Sequence, residues 1–144
     1  MTAHTLALTS AGAFFLTGLV TGAWKYACIA RSAEAKAPTY VDIAHRASLL
    51  YAFACALIAT FCAQSGFSEA VNLACAAVLI AYFAISVFGY LVHGLLRDTD
   101  SQLARPHRLG AKTLPAFVMT AFMVSLIAAE IGAFGVVFAG WCLR

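Results

Sequence analysis

Four long stretches of the chain are almost wholly apolar, and short polar segments separate them. They run from about Leu6 to Trp24, Ala47 to Ser68, Ala70 to Leu96 and Thr113 to Leu143, and only Glu130 interrupts the last with a formal charge. About 20 apolar residues cross a hydrocarbon layer of ~30 Å as a helix. In lipid every backbone N–H and C=O must be paired within its own segment, so runs of this length are helices rather than open strands. A helix of a water-soluble bundle carries charge on its outer face, and that pattern is absent here. The pattern therefore predicts an all-α fold, an integral membrane four-helix bundle forming a single domain over residues 1–144.

Composition agrees and narrows the options. Of 144 residues, 63% are hydrophobic and 10% charged, against about a quarter charged in ordinary soluble domains. The net charge of +3 is spread over the loops and termini, whereas a nucleic-acid face gathers its cations on one element. Cys28, Cys55, Cys62, Cys75 and Cys142 form no CxxC pair and read as small hydrophobes. The N-terminus has no basic segment before its apolar run and no A-x-A site, so a cleaved leader is not expected. Loop 1 holds Lys25, Arg31, Lys36 and Arg46; loop 3 holds Arg97, Arg105, Arg108 and Lys112; the short loop around Gly66–Glu69 has no cation. Loops 1 and 3 are thus expected in the cytoplasm, with the chain in an inner (cell) membrane.

Polar residues within the spans carry the candidate chemistry, because lipid tolerates them only when they face protein or a cavity. Tyr82, Ser86, Tyr90 and His93 recur at i, i+4, i+8 and i+11, one side of the third helix, with Arg97 beyond. Tyr82 and Ser86 are candidates for lining a substrate pocket. At the start of the second span stand His45 and Arg46, followed by the small side chains Ser48, Ala52, Ala56 and Ala59. Such a face admits either a partner helix or a flat cofactor. Asp42, three residues before His45, is expected to hold the second ring nitrogen and to cap the helix. The second and third helices run antiparallel, which puts His45 and His93 at one depth, as a bis-histidine haem requires. Gly18 and Gly22 form a GxxxG that permits close helix contact. Glu130 shares a face with Met119 and Met123 and is expected to point into the bundle. His4 and His107 receive no role.

The residues Tyr40-Val-Asp-Ile-Ala-His45-Arg-Ala-Ser-Leu-Leu-Tyr51, then Ser65-Gly66-Phe67 and Phe88-Gly89-Tyr90, resemble the second and third helices of the styrene oxide isomerases. Those are small four-helix membrane proteins that bind haem b as trimers. Trp24 is similar too, and the likeness covers about half the chain. It implies His45 as the iron ligand, beside the second-helix face on which Arg46, Ser48 and Ala52 are cofactor-binding candidates, and Tyr90 as the active-site tyrosine. It also implies haem b between the subunits of a homotrimer, and a lipophilic aryl epoxide isomerised to an aldehyde. Two features depart from the family pattern. Tyr51 stands where the family has a pocket asparagine, and the basic loops alternate in the opposite sense. Two other readings fit the residues: a cytochrome b ligated by His45 and His93, which transfers electrons or reacts with quinone, and a non-enzymatic membrane protein.

Overall fold

The computed structural model describes residues 1–144. Helix α1 spans Ala3–Ala30, α2 Thr39–Ala63, α3 Glu69–Leu96 and α4 Ala116–Cys142. A small antiparallel hairpin, β1 (His107–Leu109) and β2 (Lys112–Leu114), lies between α3 and α4. All four helices are long and apolar enough to cross a membrane. Phe15, Leu19, Phe53, Phe88, Phe117 and Ile131 stand exposed around the bundle, an apolar girdle that only lipid or protein can cover. The chain is an integral membrane protein.

The helices extend past their apolar runs in places the hydropathy pattern does not show. The second helix begins at Thr39, two turns before the predicted Ala47, and ends at Ala63 rather than Ser68. Pro38 occupies its N-cap, where a fixed φ and a missing N–H cost nothing. Asp42 is therefore not the cap. It lies within the first turn, where a carboxylate favours the positive end of the helix. Its two oxygens bind Lys25 Nζ at 2.6 Å and an Arg46 guanidinium nitrogen at 2.8 Å. At the opposite face Thr2 caps α1 by accepting the Thr5 N–H at 3.1 Å. The Ala3 N–H donates to Glu69 Oε1 at 2.5 Å.

The core is a narrow column of small and medium side chains. Ala3, Ala7, Ala11 and Phe14 face inward from α1, Ala52, Cys55, Ile58 and Ala59 from α2, and Ala76, Leu79, Phe83 and Val87 from α3. Helix α4 adds Val137 and Gly140 as its only buried residues. Its C-terminal end is pinned where the Gly66 N–H donates to the Gly140 carbonyl at 2.8 Å. All five cysteines are free thiols.

Candidate functional site

The α1–α2 seam is close because Gly18 and Gly22 line it. A Cβ at Gly18 would lie 2.5 Å from Leu49 Cδ2, and one at Gly22 would lie 2.9 Å from His45 Cε1. The GxxxG therefore seats a leucine and an imidazole of α2 against the backbone of α1. His45 Nδ1 lies 2.8 Å from the Gly18 carbonyl oxygen. A carbonyl only accepts, so Nδ1 carries a proton, and in the neutral imidazole the lone pair is on Nε2. Nε2 makes no hydrogen bond to the chain, and the half-buried ring is held in one tautomer. A backbone carbonyl fixing one nitrogen while the other stays available is the arrangement found behind metal-ligating histidines.

The sequence assigned the orienting role to Asp42, and the structure assigns it to Gly18. Asp42 is occupied by two cations, and both draw it away from the imidazole. Arg46 points outward to Asp42. Ser48 is fully buried, its hydroxyl donating to the Ala44 carbonyl at 2.7 Å, and Ala52 is buried beside it. Both pack closely within their own chain.

The polar stripe of α3 runs toward the interior and toward α4. His93 is buried, and its Nδ1 lies 2.8 Å from Asp98 Oδ1, while Asp98 Oδ2 accepts the Gly110 N–H at 2.5 Å. Burial alone would raise the Asp98 carboxyl, but the hydrogen bonds from His93 and Gly110 outweigh it and hold it below its ordinary value. The Tyr40 ring lies 5.0 Å from that of His93 and stacks at 6.0 Å on Tyr90. The Tyr40 hydroxyl accepts the Gln102 N–H, and Thr39 donates to Asp100 at 2.8 Å. Residues 98–110 are thereby tied across the ends of α2 and α3 as a lid.

Ser86 is buried and its hydroxyl has no partner. It lines, with Gly89, His93, Met119 and Phe122, a cavity of about 250 Å³ between α3 and α4. Tyr82 packs against Phe122 at 6.3 Å. Tyr51 lies between Phe14 and Phe83, stacked on the latter at 4.2 Å, with Tyr90 and Glu130 within electrostatic reach of its hydroxyl. The large phenol at this position is thus packed against the core of its own chain. Glu130 closes one side of an apolar groove of about 470 Å³ among α2, α3 and α4, with one carboxyl oxygen buried and unpaired.

Within one chain, then, His45 faces α1, His93 faces Tyr40, Asp98 and the α3–α4 cavity, and Tyr90 and Tyr51 face the interior. No hydrogen bond or ring pairing joins His45 to Tyr90 or His93. Sequence reasoning missed Asp98 and the buried His107, whose Nδ1 donates to the Gln102 carbonyl at 3.0 Å. An acid five residues beyond a helix-end histidine is a usable signal for the first; nothing local marks the second. Trp24 is also structural, since its ring lies 3.0 Å from where a Gly94 Cβ would stand. Comparison with family models, with curated proteins and with solved structures found no match.

Proposed function

We propose that this chain is a haem b protein of the membrane that isomerises a lipophilic aryl epoxide to an aldehyde, with His45 as its iron ligand. The supporting observation is the Gly18 carbonyl on His45 Nδ1, which fixes the ring so that Nε2 of the neutral imidazole is the donor haem iron takes. Gly22 adds to the fit, because any side chain there would displace the ring. The resemblance of the Tyr40–Tyr51 and Phe88–Tyr90 segments to the styrene oxide isomerases supplies the reaction and the homotrimer. Bound haem would supply a Lewis-acidic ferric centre.

The chain's own residues supply the rest. Tyr90 donates a hydrogen bond toward the epoxide oxygen as negative charge grows on it. The apolar surroundings keep out water, which would capture the opened epoxide as a diol. Within one chain His45 lies against α1 while Tyr90 stacks on Tyr40, so the reading rests on the homotrimer to bring the two to one haem. The basic loops 1 and 3 favour a cytoplasmic position for that face of the bundle, in an inner membrane. A bis-histidine centre within one chain is not favoured, because His45 packs against α1 while His93 lies against Tyr40 and Asp98, with no contact between the two rings.

The haem-loaded protein in lipid nanodiscs, supplied with styrene oxide, is expected to release the isomeric aldehyde. Tyr90→Phe is expected to keep its haem spectrum while kcat falls at least ~100-fold, the loss typical of one removed oxyanion donor. A haem-loaded protein that forms no aldehyde would remove the epoxide reading. A Tyr90→Phe enzyme at full rate would remove the role of Tyr90.

A further inference from the structure

Beneath Trp24, at the face that carries loops 1 and 3, the ends of α1 and α3 enclose a pocket of about 410 Å³. Arg31, Ser32 and Lys36 line it from loop 1, Arg97 from the end of α3, and Trp24 and Cys28 from α1. We infer that this pocket binds the phosphate of an anionic phospholipid, with the lipid's acyl chains lying against the lower end of α1.

Charge bookkeeping leaves the three cations free for such a ligand. Every acid at this face has other partners: Asp42 binds Lys25 and Arg46, Asp98 binds His93 and the Gly110 N–H, and Asp100 accepts from Thr39. Glu34 accepts from the Ser32 hydroxyl at 3.1 Å and pairs with no cation. Arg31, Lys36 and Arg97 therefore converge on one concavity with no counter-charge within ion-pair distance.

Backbone geometry points the same way at Arg97. It ends α3 in the left-handed region, φ 50°, where glycine sits without strain and a long side chain does not. The position holds an arginine all the same, and it lines the pocket. Loop 1 is likewise built rather than loose, because the Ser32 hydroxyl accepts the Lys36 N–H at 3.3 Å. The depth favours lipid over a dissolved ion. Arg31 and Arg97 each directly follow a spanning helix, and Trp24 supplies the aromatic wall common at headgroup level. Basic pockets between helix ends on this kind of face hold anionic headgroups.

Native mass spectrometry of the full chain in micelles with equal phosphatidylglycerol and phosphatidylcholine tests the assignment. Retention of phosphatidylglycerol over phosphatidylcholine is expected, falling about fivefold for each cation removed by Arg31→Gln, Lys36→Gln or Arg97→Gly. Arg97→Gly relaxes the backbone, so its lipid loss cannot be charged to unfolding. The control Arg105→Gln/Arg108→Gln/Lys112→Gln removes three charges from the hairpin region, as many as the three pocket substitutions combined, and is expected to retain the lipid. Equal retention of both lipids, or equal loss in pocket variants and control, would overturn the site. Displacement by millimolar inorganic phosphate would overturn the lipid in favour of a free oxyanion.

Discussion

The two flanks of this bundle are packed by opposite rules. On the α1–α2 flank, Gly18 and Gly22 remove every side chain that would keep the helices apart, and α2 fills the space with Leu49 and His45. On the α4 flank, a helix that is apolar nearly all round buries two residues and leaves a groove with an unpaired carboxyl oxygen in its wall. In a membrane there is no hydrophobic gain in bringing helices together, so close contact depends on small residues that let backbones approach. Where the sequence supplies them, a polar side chain can be held in one orientation. Along α4, Gly132 and Gly135 face open space and Phe134 and Phe138 line the groove, so the helix is tethered at its C-terminal end and its middle stays open to lipid, ligand or a second copy.

The steepest consequence falls on the tight seam. Gly22→Leu is expected to push the imidazole off α1 and weaken haem binding about tenfold or more, in keeping with the ~1–3 kcal/mol that overpacking costs. Circular dichroism of the variant should remain helical. Unchanged haem affinity would mean that the seam does not position His45.

The next effect falls on the lid that leads to α4. Asp98→Asn weakens the bond to His93, and a loss of ~1–3 kcal/mol is expected in thermal or denaturant unfolding. The pH dependence has a definite sign. A carboxyl held lower in the folded chain than its ordinary 3.8 stabilises fully above that value. That stability is lost only as the pH falls below it, through the depressed folded value. A lid that loosened between pH 8 and neutrality would contradict this. The smallest effect is expected on the open flank. Glu130→Leu removes an unpaired oxygen from an apolar wall and should leave stability unchanged or raise it by ~1 kcal/mol. A clear loss would show that a ligand or a neighbouring subunit satisfies that carboxyl.

Much of this architecture is legible in the order of apolar and polar residues. The four spans, the tight α2–α3 turn and the inward stripe through Ser86 and His93 follow from helical period and the cost of polar groups in lipid. The orienting partner of His45 is not legible by the same means. A neighbouring acid at i−3 looked suitable, but Lys25, distant in sequence, takes Asp42, and the Gly18 backbone takes the imidazole. A carbonyl carries no side-chain signature, and which one lies within reach depends on how two helices cross. The hairpin and the buried His107 escaped for a related reason: residues 98–114 are ordered by contacts to Tyr40, Thr39 and Asp98 rather than by their own pattern.

Haem titration into the metal-free protein in nanodiscs, followed at the Soret band, bears most directly on His45. Wild type and His93→Ala are expected to bind one haem per chain, and His45→Ala none. Full binding by His45→Ala, or no binding by wild type, would contradict the assignment of His45 as the iron ligand.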